Sequence, residues 1–296
     1  MRATLSYRAA AAISRYVPAP LARLTAESAG ALMAQTMRDR RTMVERHQQR
    51  VHGAPMSRWQ LERQVRRTFA SYARYWAESL RLPSVPAAEL DRLMSYEGLD
   101  HLDDALAAGH GAIFVTPHLG GWDPGGAWFT RRGYALTAVV EPLEPPEVFE
   151  WFAEFRRSIG MEIVPLGPKA GTAIITALKA NRPVALVCDR DLQGNGVEVE
   201  FFGERTTLPS GPATLAFRTG APLLPVAVYF RDPEGYHGVV RPPLAVERQG
   251  SLREDVTRVT QAIALELEAF IRRAPEQWHL LQPNWPSDRP SAARVP

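Results

Sequence analysis

The chain has 296 residues, 45% of them hydrophobic and 23% charged, an ordinary globular composition that excludes a disordered chain and a fibrous repeat. Its one cysteine, Cys188, excludes an intrachain disulfide, a dithiol redox pair and a thiolate zinc site. The net charge of +3 hides an asymmetry: residues 1–82 hold fifteen arginines, no lysine and five acids, a surplus of ten positive charges, and the remainder is correspondingly acidic.

Residues 1–82 read as helical throughout. Between Leu5 and Met33, apolar residues alternate with arginines around a break at Pro18 and Pro20. That pattern suits a basic amphipathic segment in a membrane interface and equally a helix packed on its own domain. Farther on, Leu61, Val65, Phe69, Tyr72, Trp76 and Leu80 recur at helical spacing and predict one helix over 56–82. A basic segment of this kind points to a polyanion, and since no nucleic-acid motif accompanies it, an anionic membrane surface is expected and nucleic acid is not. No uncharged stretch reaches the roughly eighteen apolar residues of a membrane span. Arg8 and Arg15 interrupt the only apolar run near the start, so a secretory signal is not expected either and the reading is cytoplasmic.

From residue 83 the pattern changes. AIFVTP (112–117), ALTAVVEP (135–142), MEIVPL (161–166), PVALVC (183–188), VEVEFF (197–202) and PLLPVAVYF (222–230) predict strands, and 124–132, 145–159, 169–181 and 210–219 predict the helices between them. The alternation argues an α/β fold over 83–284, with a central mixed, mostly parallel sheet flanked by helices and several strands buried on both faces. Ser251 and Glu254 form a capping box for a final helix to Arg273. Residues 285–296 are expected to be a disordered tail.

Two stretches carry chemistry. In TPHLGGWDPGG (116–126), His118 follows a strand end and Asp123 comes five residues later near a helix start, where open α/β sheets bind ligands. The histidine suits a general base, and the glycine amides with the helix N-terminus suit an oxyanion cradle. In CDRDLQGNGVEVEFFGE (188–204), Asp189 or Asp191 is placed to orient His118. The same run matches a calcium loop with Gln193 at its fifth position, a reading that would make the chain a calcium-dependent membrane-binding module; its strand-like flanks argue against it, and no metal is expected. No GxSxG, GxGxxG or GxxxxGKS is present, and Lys169 and Lys179 are the only lysines. A serine nucleophile, a dinucleotide or P-loop site and a Schiff base are therefore not expected.

HLGGWD, CDRDLQGNGVEVEFFGE, LPSGPATLAFRTGAPLLPVAV and WHLLQPNW, in that order, resemble the bacterial lysophospholipid acyltransferase superfamily, more narrowly its lipid A biosynthesis branch and the phosphatidylinositol mannoside acyltransferases, from about Tyr72 to Trp285. The resemblance implies a peripheral O-acyltransferase at the cytoplasmic face of the inner membrane. Such an enzyme moves a long-chain acyl group from acyl-CoA, with palmitoyl-CoA as cosubstrate and no cofactor, to a mannose hydroxyl of a glycolipid acceptor without an acyl-enzyme. It implies that His118 is the general base. The family's partner acid is a glutamate at the position of Asp189, so either the backbone closes the gap left by the shorter side chain or the pairing shifts to Asp123 or Asp191. Glu141, Arg156 (or its neighbour Arg157), Asp191 and His279 fall on positions implied to meet substrate. Trp122, Trp128, Phe129, Phe201 and Phe202 are expected to line an apolar acyl channel.

Overall fold

The computed structural model describes residues 19–289; the expectations for residues 1–18 and 290–296 lie outside the described residues. Three helices come first: α1 (Ala19–Thr36), α2 (Arg38–His52) and α3 (Arg58–Arg81). The expected continuous helicity breaks at Met37 and again over 53–57, where Gly53 ends α2 in the left-handed conformation and Ser57 opens α3 with a capping box to Gln60. Helices α1 and α3 cross closely at Gly30, where a Cβ would sit 2.6 Å from the Cα of Ala70. The predicted α3 stripe packs as read, with Val65 and Phe69 fully buried beside Leu281 in a small cluster of their own.

The core continues α4 (Ala87–Leu93), β1 (Met94–Glu97), α5 (Leu99–Ala107), β2 (Ala112–Thr116), α6 (Trp122–Arg131), β3 (Thr137–Val140), α7 (Pro146–Ser158), β4 (Glu162–Pro165), α8 (Ala170–Lys179) and β5 (Pro183–Val187). It then runs through β6 (Val197–Phe201), β7 (Glu204–Leu208), α9 (Gly211–Thr219), β8 (Leu223–Phe230), β9 (Tyr236–Val240) and α10 (Leu252–Arg273). Seven strands form one sheet in the order β1-β9-β8-β2-β5-β3-β4. Its pairs are parallel from β8 to β4, and the antiparallel pairing of β8 with β9 makes the sheet mixed. The fold is thus α/β, with a mostly parallel sheet flanked by helices.

Strand β2 shows why these runs form the centre. Ile113 and Val115 face one apolar cluster with α8, α9 and α10, while Ala112 and Phe114 face a second with α5, α6 and α7, so a strand buried on both faces must be apolar at every position. Strand β6, predicted with the others, instead pairs only with β7 as an antiparallel hairpin outside the main sheet and packs on α10 through Val199 and Phe201. Its alternation of exposed and buried residues is that of a one-sided hairpin. Helix α10 begins with the predicted capping box, Ser251 Oγ accepting the Glu254 N–H at 3.3 Å and the Ser251 N–H donating to Glu254 at 2.9 Å.

The start of the expected tail is ordered. Trp285 and Asp288 are buried, and Asp288 receives the N–H groups of Asn284 and Trp285 and an Arg50 guanidinium from α2. No helix among the described residues is long and apolar enough to cross a membrane.

Candidate active site

Parallel strands β2, β5 and β3 are neighbours, and their carboxyl ends open on one rim of the sheet. In the register, Thr116 lies opposite Val187, so His118 and Asp189 leave the sheet two residues later side by side. The distance is short enough for an aspartate: Asp189 Oδ1 accepts from His118 Nδ1 at 2.7 Å, and Asp189 Oδ2 accepts the His118 backbone N–H at 3.0 Å. The neighbouring parallel strands bring the aspartate within reach of the imidazole. Because the ionised carboxylate only accepts, the imidazole proton sits on Nδ1 and the lone pair is on Nε2. Asp189 is completely buried while the His118 side chain keeps 35% of its surface exposed. Burial opposes ionisation of Asp189, and the His118 side chain, the Trp278 indole and the His118 amide overcome it, holding the carboxyl below its usual range.

The chain then turns sharply. Gly120 adopts φ +58° against β8, where a Cβ would stand 2.1 Å from the Val228 carbonyl oxygen. The glycine amides expected to cradle an oxyanion are already spent: the Gly120 N–H donates to the Gln277 carbonyl and that of Gly121 to Val228.

Asp123 does not meet His118. It lies 2% exposed at the start of α6, accepting the Tyr75 hydroxyl from α3 at 2.5 Å and the Arg156 guanidinium from α7 at 2.9 and 3.4 Å. Burial and then the Asp123 charge push the Tyr75 phenol well above its ordinary value, so it stays a donor. Burial works against the Arg156 cation, but Asp123 and Tyr75 more than offset it and raise its pKa. Arg156 therefore belongs to a buried ion pair, while Arg157 pairs loosely with Glu150 on the exposed side. Exchanging Arg156 for alanine leaves the Asp123 carboxylate with Tyr75 alone; the expected loss is about 3–5 kcal/mol of stability, measured as a lower urea midpoint. An unchanged midpoint would show that the pair does not support the fold.

Trp122 stands between the two groups, its ring centroid 4.1 Å from Tyr75, 5.9 Å and edge-on to His118, and 5.7 Å from His279. His279 is buried with its Nε2 2.9 Å from Ser71 Oγ and its Nδ1 without a hydrogen-bond partner among the described residues. Burial, with a smaller push from His118, drops its pKa to about 3, so it is neutral at physiological pH. Glu141 is exposed, immediately beyond β3.

Asp191, by contrast, is turned into its own loop. It accepts the N–H groups of Gln193, Gly194 and Gly196 and the Thr207 hydroxyl at 2.8 to 3.1 Å. These donors point where a cation would have to sit, and both flanks are strands, so the calcium-loop match does not build a calcium site. Among the described residues no three His, Cys, Asp or Glu side chains are grouped to hold a metal ion.

The aromatic residues expected along one channel fall on opposite faces of the sheet. Phe201 and Phe202 pack with α10, whereas Trp128 and Phe129 pack with β8 and β9. The latter two, with Met94, Leu99, Gly125, Val226 and Val228, line a small apolar pocket with room for about one water. Tyr75, Ser71, Trp278 and Asn284 belong to this neighbourhood and were not singled out as site residues from the sequence; Tyr75 lies one position off the α3 stripe, and Trp278 and Asn284 sit inside the quoted WHLLQPNW run.

The bacterial lipid A biosynthesis acyltransferase family matches residues 3–287. A phosphatidylinositol mannoside acyltransferase of Mycolicibacterium smegmatis is 41% identical over 227 residues, 76% of this chain and 73% of that protein. One of Mycobacterium tuberculosis is 42% identical over 232 residues, 76% and 71% of the two chains. A lipid A biosynthesis acyltransferase of Haemophilus influenzae is 26% identical over 196 residues, 64% and 58%. With a His–Asp pair at the carboxyl rim of an α/β sheet and a match along nearly its whole length, the chain belongs to the bacterial lipid A biosynthesis acyltransferase family.

Proposed function

We propose that this acyltransferase moves a long-chain acyl group from acyl-CoA to a mannose hydroxyl of a phosphatidylinositol mannoside. The observation that carries the chemistry is the His118–Asp189 bond, which commits Nδ1 to the carboxylate and leaves Nε2 as the base of a partly exposed ring. The acceptor follows the mycobacterial relatives, which are named phosphatidylinositol mannoside acyltransferases; acyl-CoA as donor is part of the proposal.

In this reading His118 Nε2 takes the proton of the acceptor hydroxyl as its oxygen attacks the thioester carbonyl. The new C–O bond forms, the carbonyl electrons return to expel the CoA thiolate, and the thiolate recovers the proton from Nε2. Asp189 stays ionised and holds the transient imidazolium. Direct transfer is favoured because the lone thiol, Cys188, is buried, points toward the Thr116 carbonyl and is pushed up by burial and the Asp189 charge. Glu141, exposed just beyond β3, is the polar contact assigned to the acceptor, and His279, buried with its ring against Trp122, acts by shaping the site. Arg156 and Asp191, already committed to Asp123 and to their own loop, act by shaping the site.

The enzyme works as a peripheral protein at the cytoplasmic face of the inner membrane. The arginine-rich helices α2 and α3 support this, with exposed Trp59 beneath the Arg63 guanidinium and cations worth roughly 1 kcal/mol each near anionic lipid. The test is transfer from radiolabelled palmitoyl-CoA by purified protein, offered a phosphatidylinositol mannoside or a lysophospholipid, with His118→Ala as control. Label in the mannolipid alone is expected. Label in the lysophospholipid alone would change the acceptor, and label in neither would remove the reading.

A further inference from the structure

Trp278 is 1% exposed, and its side chain makes one hydrogen bond among the described residues: the indole N–H donates to Asp189 Oδ2 at 2.8 Å. The same oxygen accepts the His118 backbone N–H at 3.0 Å, while Oδ1 faces His118 Nδ1 at 2.7 Å. The surrounding chain is fastened to both dyad residues. Trp278 bridges Leu119 in antiparallel fashion, the His279 N–H donates to the His118 carbonyl at 2.7 Å, and Asn284 Nδ2 donates to the Asp189 carbonyl at 2.9 Å. Behind the indole lie His47, with ring centroids 5.2 Å apart, and Phe202, at 5.7 Å. The ring is thus held from the back with its N–H aimed at the carboxylate.

We propose that Trp278 is the positioning residue of the dyad, fixing the Asp189 carboxylate so that Oδ1 alone meets His118 and setting how strongly that carboxylate holds the imidazolium. The inference rests on the reading of His118 as general base. Asp189 has no water-exposed surface, so its charge is stabilised only by the donors around it. Removing the indole N–H leaves the backbone amide and the histidine, and the carboxylate then leans harder on a protonated His118. The free base forms at higher pH, and a carboxylate relieved of one donor rotates more easily.

Trp278→Phe is therefore expected to lower kcat about tenfold with little change in KM and to move the acid limb of the kcat/KM profile up by about one pH unit, the size of one hydrogen bond to a charged group. The decisive comparison is the same exchange in an Asp189→Asn background. There, Trp278 and the His118 amide pin the side-chain carbonyl at the Oδ2 position and turn the NH2 toward His118. Losing the indole frees the amide to flip, so Trp278→Phe is expected to be neutral or to raise activity. An equal loss in both backgrounds, or an unmoved acid limb, overturns the proposal, because a ring that only fills space costs the same in each. If the phenylalanine variant does not fold, 3-benzothienylalanine at position 278 keeps the ring shape and replaces the N–H by sulfur, and the same outcomes are read from it. Full turnover in His118→Ala would instead overturn the reading of the base itself.

Discussion

His118→Ala is expected to lower kcat by about 10²- to 10⁴-fold, the worth of a positioned general base, while the protein stays folded. The second half of that expectation comes from Asp189. Its carboxylate loses the imidazole but keeps the Trp278 indole and the main-chain N–H of residue 118, so it is not left as an unpaired buried charge. The half-exposed histidine leaves a gap open to solvent rather than a dry cavity. Steady-state rates with a thermal melt separate the two effects: a melt near that of the wild type with turnover at background is expected, and turnover within a few-fold of the wild type would remove His118 from the chemistry.

Asp189→Asn is expected to cost nearly as much, about 10³- to 10⁴-fold in kcat, although the base itself is untouched. Both donors on Oδ2 hold the asparagine carbonyl in place, so its NH2 group faces His118 Nδ1. That nitrogen must then accept, the imidazole proton moves to Nε2, and the lone pair that would take the hydroxyl proton is gone. The substitution also removes the charge that steadies the imidazolium. An activity loss below about tenfold would mean that the proton sits on Nε2 in the wild type as well, and that Asp189 is a structural group. The tautomer can be read from the nitrogen shifts of labelled histidine in the resting protein.

The central strands were legible because burial on both faces leaves little freedom in composition: AIFVT and PLLPVAVYF admit no other assignment. The edges were not. Strand β1 is the four residues MSYE with its last two positions exposed, and β9, YHGVV, carries a histidine and a glycine; neither has a periodicity to find. Helices α4 and α5, between Ala87 and Ala107, were also not anticipated. At the site, His118 and Asp189 could be named because they follow strand ends, and Asp123 because it stands at a helix start five residues after the histidine. Which acid would serve His118 could not, since that depends on the β2–β5 register and is absent from any local window. The HxxxxD spacing suggests a pair, yet its two ends go to different partners, Asp189 and Arg156. Tyr75 reaches Asp123 across 48 positions and Trp278 reaches Asp189 across 89, distances over which a single sequence carries no pairing signal.

Those separations have a meaning in time as well. At bacterial synthesis rates of about 5–20 residues per second, Asp189 emerges roughly 4 to 18 seconds before the indole that completes its shell. The chain between them is enough to lay β8 beside β2, so the sheet can stand while its buried carboxylate still lacks a donor. His47 waits longer, its contact with Asp288 lying 241 positions away. The ordered segment around Trp285 is therefore the last part to close, and it closes on α2 and the dyad together. Until then His118 alone holds the Asp189 carboxylate, and the dyad gains its indole donor only once that stretch has been made.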